Sequence, residues 1–306
     1  MGKIYLGEAF GLLGKTMPFI WARLGSYLLL GLGLGIYFAI IGGIAWLLGS
    51  LWGPLGFIIF LAGVGGAFAV VRWVTRYYFY LLKAAHTAVM TEIIVYGRAP
   101  EGSQIEYGRK AVTGRFKDTS IMFAVDLRTF TRIASILPIP GLQGLGRLLE
   151  RVAVASTTYI DESILSRAYA RREQNVWAVA HEGVVLYAQA WKPILANAVV
   201  LALLGYVEFF LLLAILGIPA LAIAAVIPGI NLVLGVAVIL AAWMIKLAVG
   251  DALAMGATLI AYHRATEDME PNPEWIARIE GVSGKFRELG QKARDAVSAD
   301  PDGTAA

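Results

Sequence analysis

Charged side chains within otherwise apolar segments are the candidates for chemistry in this sequence. Glu208 is the only Lys, Arg, Asp, Glu or His between positions 194 and 245. A charge at such a position in a membrane is costly and requires a partner, water or a proton. Lys246 and Arg72 are its candidate partners, and Asp251 is a further candidate. We predict a proton or cation site, or part of a solute path; the alternative is a structural ion pair or a protonated carboxyl.

The sequence predicts no catalytic, cofactor or metal site. Without cysteine, the chain cannot use thiolate catalysis, iron–sulfur clusters or cysteine zinc sites. In "HEGVV", Val185 replaces the second histidine of a zinc-protease motif. Asp161 and Glu162 are adjacent and point to different faces of a helix, which predicts a solvated edge. The histidines are far apart in the sequence: His86, His181 and His263.

The composition indicates how these residues are positioned. Of 306 residues, 58% are apolar and 16% are charged, whereas a soluble domain carries about 25% charged residues. Residues 24–71 include no Lys, Arg, Asp, Glu or His. About 20 apolar residues span a bilayer, so each apolar block is long enough for two spans. We predict an all-α integral membrane protein with four transmembrane helices.

The predicted spans form two hairpins, in each of which the second helix is long. The first hairpin has a span near 26–48, and its second helix runs from position 55 to 95. The second has a span near 194–216, a connection at 217–229 and a helix from about 230 to 262. The predicted regions are an amphipathic segment (1–25), a first hairpin (26–97), a cytoplasmic or interfacial helical region (98–190), a second hairpin (191–264), and an amphipathic helix with a disordered tail (265–306). Within the middle region, residues 119–141 are predicted to be re-entrant or interfacial.

Basic residues near the span ends predict the orientation. They lie beside the predicted inner ends of the spans, and both hairpin tips lack charge. Because Lys and Arg favour the cytoplasmic side, we expect a multi-pass cytoplasmic (inner) membrane protein with both termini inside. Glu8 interrupts what would be a signal-peptide core. Basic residues at membrane edges predict contact with anionic lipids and no nucleic-acid partner.

Two similar phrases predict an internal repeat. "VTGRFKD" (112–118) and "VSGKFRE" (282–288) match in chemistry at all seven positions. Pro18 and Pro193 occupy matching places before the first span of each hairpin. Halves with two spans each share one orientation, which gives a parallel repeat. Chance similarity between apolar sequences is the alternative.

The second phrase belongs to a predicted amphipathic helix. On a helical wheel its apolar side chains fall in one arc: Trp275, Ile279, Val282, Phe286, Leu289 and Ala293. Such a helix can lie among lipid headgroups or pack on other helices of the protein. A second packing prediction concerns Gly31 and Gly35, whose spacing allows close helix approach within the hairpin or between subunits.

The segment "AAHTAVMTEIIVYGRAPEGSQIEYGRKAV" (84–112) resembles choline transporter-like proteins. That family has an Ala-Tyr followed by an Ile-Ala-Ile-Tyr-Gly-Lys phrase and a basic amphipathic stretch. Residues 93–98 of this chain occupy the phrase, and His86 stands in place of the tyrosine. The resemblance implies a membrane transport relative. The chain has fewer spans than that family, and no substrate site is carried over.

Three functions follow from these patterns. The first is transport, as a carrier or channel-like protein for an ion or small solute, with homo-oligomerisation expected because four spans are few. The second is a scaffold or accessory subunit that binds a protein partner or lipid through its cytoplasmic helices. The third is a membrane enzyme, for which the sequence offers only scattered acids and histidines.

Overall fold

The computed structural model describes residues 4–116, 159–227 and 229–299, and all regular structure in these ranges is helical. In chain order the α-helices are α1 (Leu6–Lys15), α2 (Met17–Leu51), α3 (Gly53–Val74), α4 (Tyr80–Tyr96), α5 (Gln104–Arg115), α6 (Ile160–Ala170), α7 (Val176–Gln189), α8 (Trp191–Val226), α9 (Asn231–Ile245), α10 (Asp251–Thr266), α11 (Pro273–Val282) and α12 (Gly284–Ala299). The segment 119–141, predicted to be re-entrant or interfacial, lies outside the described residues.

Four helices are long and apolar enough to cross a membrane. They are Met17–Leu51, Gly53–Tyr96, Leu203–Val226 and Asn231–Thr266. Most of their side chains are not covered by other parts of the protein, which suits contact with lipid. The all-α fold and the four apolar helices agree with the sequence prediction and are compatible with a membrane protein.

A turn of π-helix interrupts each long second helix, which the sequence did not predict. The first π-turn, Thr75–Phe79, joins α3 to α4, and the second, Lys246–Gly250, joins α9 to α10. A π-turn inserts a residue into the α-helical register and is frequent at functional sites. The predicted continuation of both helices, to about 95 and 262, is confirmed, since α4 ends at Tyr96 and α10 at Thr266.

The predicted connection at 217–229 is wrong. Helix α8 continues through Pro219 to Val226. Proline removes one backbone hydrogen bond, but apolar helices tolerate this loss better than they tolerate unpaired backbone in lipid. The apolar helix therefore extends beyond the predicted span 194–216, as far as Val226. At 1.5 Å per residue, Glu208 lies about 27 Å from the tip end of α8.

The predicted boundary at residue 25 is also absent. Helix α1 ends at Lys15, and α2 begins at Met17 and runs without interruption into the span. Pro18 occupies the first turn of α2, where its missing N–H costs nothing. The same arrangement recurs at Ala190, where α7 ends and α8 begins two residues before Pro193.

The buried core lies in the helices beyond the π-turns, here called the distal helices (α1, α4 to α7 and α10 to α12). Every residue of α4 from Ala84 to Ile93 is buried, as are nearly all residues of α6. Helix α6 packs against α4 and α7, and α1 packs against α10. Glu162 is consequently 4% exposed, so the predicted solvated edge at Asp161–Glu162 is wrong for Glu162.

The two similar phrases adopt different backbones. In the first, Val112 lies in the last turn of α5. In the second, the chain leaves the helix at Ser283, whose hydroxyl accepts a hydrogen bond from the Phe286 amide as α12 begins. The predicted continuous helix from Trp275 to Ala293 is therefore two helices. A side-chain cap competes with helix continuation, which explains the break.

Both phrases nevertheless bury their phenylalanine. Phe116 meets the Tyr169 ring edge-on at 5.8 Å, and Phe286 stacks on the His181 ring at 4.3 Å. Helix α12 packs on α7 through Phe286 and Leu289, which are 1% and 5% exposed. Of the two predicted environments, the structure shows packing on the protein's own helices.

The glycines of the first hairpin pack differently from the prediction. A Cβ at Gly31 would lie 2.9 Å from Met244 Cε on α9, in the other hairpin. A Cβ at Gly35 would meet no atom of the described chain within 4 Å. Within the hairpin, Gly56 and Gly63 of α3 provide the close approach to α2, because a Cβ at either would collide with it.

Candidate functional site

A cluster of charged and phenolic side chains lies where α2, α4, α6 and α8 meet the second π-turn. We call it the polar seam. It consists of Arg23, Tyr27, Lys83, Tyr159, Glu162, Glu208, Lys246 and Asp251. The cluster is held in place by apolar packing, in which Ile20 and Leu24 of α2 contact Val249 and Ala252.

Glu208, Lys246 and Asp251 form one side of the polar seam. The Lys246 ammonium lies 3.7 Å from the Asp251 carboxylate, and Glu208 interacts electrostatically with both. The Glu208 carboxylate lies against the backbone of Gly250, where a Cβ would come within 2.8 Å of its Cδ. The π-turn therefore places the charges of Lys246 and Asp251 beside α8, and Gly250, which has no side chain, leaves space for the Glu208 carboxylate.

Arg23 occupies the interior of the polar seam. It is 4% exposed, although it precedes an apolar span by sequence. Its strongest electrostatic partner is Asp251, followed by Tyr27, Tyr159 and Glu162. Its Nη2 is buried without a hydrogen-bond partner among the described residues. A buried guanidinium needs compensating groups, so this nitrogen is an unsatisfied donor at the centre of the site.

Tyr159 connects the two sides of the polar seam. Its hydroxyl donates a hydrogen bond to Asp251 Oδ1 at 3.4 Å, and Lys83 Nζ lies 5.0 Å from the centre of its ring. Burial, with a smaller contribution from Asp251, raises the pKa of the Tyr159 phenol well above its ordinary value. The phenol therefore keeps its proton at neutral pH and acts as a donor.

Lys83 and Glu162 complete the second side. Their charged atoms lie 2.5 Å apart, and Glu162 is almost fully buried. Glu162 Oε2 is a buried acceptor without a hydrogen-bond partner among the residues described. Three cationic and three carboxylate side chains are thus balanced within one cluster, which lowers the cost of keeping each of them charged.

The unsatisfied donor and acceptor define what the polar seam can bind. Arg23 Nη2 offers a hydrogen bond and Glu162 Oε2 accepts one, and the two groups interact electrostatically. Lys246 and Asp251 keep 26% and 31% of their side-chain surface exposed, so the site is partly accessible. Such an arrangement suits water, or a small solute that carries both an acceptor and a donor.

The structure brings together three of the four residues selected from the sequence. Glu208, Lys246 and Asp251 are neighbours. Arg72 is exposed on α3, and within the described ranges it has no ion pair with Glu208. Gly31 is near the second hairpin through Met244, whereas Gly35 stands apart.

Sequence reasoning missed the other half of the site. Arg23 and Lys83 are visible in the sequence only as basic residues beside spans, and Glu162 only as part of an acidic pair. Their burial depends on the packing of α6 against α4, across more than 60 positions of sequence. The nearest available signal was Arg23 itself, since a helix that begins at Met17 places this arginine inside the helix.

The histidines contact side chains of neighbouring helices. His86 Nε2 lies 2.9 Å from Thr16 Oγ1, and its ring stacks on Phe19 at 4.7 Å. His263 Nε2 lies 2.7 Å from Ser166 Oγ. Within the described part of the chain, no group of three or more acidic or histidine side chains has the geometry to hold a metal ion.

Comparison with known proteins adds no relative to this description. No protein-family model, curated protein or solved structure matches the chain. The polar seam and the arrangement of the helices are therefore the basis for assigning function.

Proposed function

We propose that this protein is a multi-pass membrane transport protein for an ion or a small polar solute, and that the polar seam is its binding site. The observation that carries the proposal is Glu208, which faces Lys246 and Asp251 from an otherwise uncharged span. Ionisable groups in membrane spans commonly mark ion or proton paths. The resemblance of residues 84–112 to choline transporter-like proteins agrees with this class of function.

The unsatisfied atoms favour a binding role over a purely structural one. A structural network would be expected to satisfy its buried hydrogen-bonding groups, since each unsatisfied one costs about 1–3 kcal/mol. Arg23 Nη2 and Glu162 Oε2 are both buried and unpaired within the described residues. A transported solute or ion with its water would satisfy them in the loaded state.

The two halves support a second part of the proposal, an internal parallel repeat. The π-turns begin at Thr75 and Lys246, 171 positions apart, and each joins an apolar span to a buried distal helix. In each half, a short helix also ends just before the proline that begins the first span. Because the spans leave most of their surface uncovered, we propose that copies of the chain associate to enclose a path.

Exposed arginines support the proposed orientation, in which both termini and the distal helices are cytoplasmic. Arg72 lies just before the first π-turn and Arg76 lies within it, and both are exposed, which suits contact with anionic lipid headgroups. Single cysteines at Ser50, at the end of α2, and at exposed Ser298 would test this in intact cells. Ser283 is buried and is therefore a poor labelling position. Labelling of Ser298→Cys from outside would contradict the orientation.

A flux measurement tests the transport proposal. The purified protein in liposomes should give ion, proton or solute flux, and Glu208→Gln should reduce it at least tenfold while the protein still folds. Glu101→Gln is the matched control, because Glu101 is exposed and lies in the connection between α4 and α5, outside the polar seam. Unchanged flux with a lowered melting temperature in Glu208→Gln would make the polar seam a structural feature.

A scaffold or accessory subunit is the second candidate. The position of the buried core favours it, since the distal helices form a well-packed unit that could bind a partner. Flux and co-purification distinguish the two functions. Absence of flux, together with a partner that co-purifies in a fixed ratio, would favour the scaffold.

A further inference from the structure

A second polar site lies among the distal helices, separate from the polar seam. It is a cavity of about 450 Å³ at the ends of α4, α6 and α10. Its lining includes the basic side chains Arg167, Arg171, His263 and Arg264, one carboxylate (Glu267), and the apolar side chains Ile94 and Val95. Three guanidinium groups facing one carboxylate give the lining a positive formal charge.

Arg167 is the buried arginine of this cavity lining. It is 6% exposed, and one of its terminal nitrogens pairs with Glu182. Its Nε is buried without a hydrogen-bond partner among the described residues. The Tyr262 hydroxyl also accepts a hydrogen bond from this guanidinium, so the protein holds Arg167 in place, and a planar arginine fork matches the oxygens of phosphate or carboxylate groups.

Two further arginines remain accessible to a ligand. Arg171 is exposed, lies one turn after Arg167, and has no ion pair with any residue that the structure describes. Arg264 reaches Glu8 at 3.6 Å but keeps 60% of its side-chain surface exposed, so that ion pair is weak. The negative charge of Glu267 repels an anion, but this residue is exposed and the cavity lining has three arginines.

The distance of this cavity from the polar seam bears on which kind of ligand reaches it. The cavity reaches α10 at His263, whereas the polar seam reaches it at Asp251. Twelve residues of helix correspond to about 18 Å. A phosphate group held at the cavity therefore lies beyond the level of the π-turn, which favours a dissolved ligand over a lipid headgroup.

We propose that this cavity binds a soluble organic phosphate. The phosphate oxygens accept hydrogen bonds from Arg171 and Arg264, Arg167 lines the cavity beside them, and the organic part contacts Ile94 and Val95. The volume exceeds that of a bare phosphate ion and leaves room for an organic group. The proposal is independent of transport, because it rests on residues that take no part in the polar seam.

Calorimetry on the full-length protein in neutral-lipid nanodiscs tests the proposal, with phenyl phosphate, inorganic phosphate and phenol as probes. Phenyl phosphate should bind saturably and more tightly than inorganic phosphate, and phenol should not bind. Arg171→Gln should weaken phenyl phosphate binding about tenfold without lowering the melting temperature, a change of ~1.4 kcal/mol. Arg278→Gln is the matched control, since Arg278 is an exposed arginine of α11 outside the cavity lining.

Three results would overturn the proposal. The first is the absence of saturable phenyl phosphate binding at millimolar concentration. The second is equal weakening by Arg171→Gln and Arg278→Gln, which would indicate a general charge effect. The third is loss of phenyl phosphate affinity in nanodiscs that contain phosphatidic acid, which would assign the cavity to a lipid headgroup.

Discussion

The carboxylate of Glu208 lies against the bare backbone of Gly250, the last residue of the second π-turn. A Cβ at Gly250 would come within 2.9 Å of Glu208 Oε1, closer than side-chain carbons are normally found. The π-turn and the glycine together create the space in which an acidic side chain from α8 meets Lys246 and Asp251. This relationship connects an irregularity of the backbone to the charges of the polar seam.

Replacing Gly250 by alanine should displace Glu208. The carboxylate is the end of a flexible side chain and can move away, so the loss of its interaction with Lys246 should offset the stabilisation of about 0.4–1 kcal/mol that Gly→Ala normally gives. Gly235→Ala on α9 is the control, because a Cβ there meets no described atom within 4 Å. Melting temperatures in detergent measure the difference. Equal stabilisation by Gly250→Ala and Gly235→Ala would contradict the observed contact.

Arg23 and Asp251 should be energetically coupled. Arg23→Gln leaves buried carboxylates without their compensating charge, and removing one partner of a buried pair costs about 3 kcal/mol. Adding Asp251→Asn should recover part of that loss, so a double-mutant cycle should give a coupling energy above about 1 kcal/mol. Arg76 is an exposed arginine of the first π-turn, and Arg76→Gln should change stability by less than about 0.5 kcal/mol. Additive losses in the cycle would show that the two residues do not interact.

His181 should make the distal helices sensitive to acid. Burial lowers the pKa of its imidazole below the ordinary value of about 6.5; Glu280 partly opposes this shift, and Arg294 adds to it. A depressed histidine pKa means that the unfolded chain binds the proton more strongly. The stability is therefore fully present above the unfolded pKa and falls as the pH drops below it.

Comparison with His181→Gln isolates this contribution. Melting temperatures of both proteins are measured from pH 8 to about pH 5. The wild type should lose more stability than the variant as the pH falls through about 6.5. Parallel pH profiles would mean that His181 is not the group responsible. Contributions from other titrating groups, present in both proteins, cancel in the difference.

Phe286 and Val282 should differ sharply in their effect on stability. Phe286 is 1% exposed and stacked on His181, so Phe286→Ala should cost about 3–5 kcal/mol. Val282 is 38% exposed, and Val282→Ala should cost less than about 1 kcal/mol. Thermal unfolding of the purified protein measures both. A small effect of Phe286→Ala would indicate that α12 contacts lipid instead of α7.

The amino-acid sequence alone predicts the all-α class and singles out Glu208. Long runs without charged residues predict apolar helices, because no soluble core accommodates them. For the same reason Glu208 is conspicuous in isolation; of its predicted partners Lys246 and Arg72, only Lys246 lies beside it among the described residues. The continuation of both second helices into the distal region also follows from local periodicity, since helices depend on contacts a few residues apart.

The rest of the site depends on how the helices pack in three dimensions. The partners of Arg23 lie at Asp251 and Glu162, and their proximity depends on how α2, α6 and α10 pack. Pro219 lies inside a helix, although proline usually marks a connection, because backbone that cannot bond to water favours the helix. The backbones of the two similar phrases differ at Ser283, where a side-chain cap replaces one backbone hydrogen bond. Long-range pairing and capping depend on neighbours that the linear sequence does not specify.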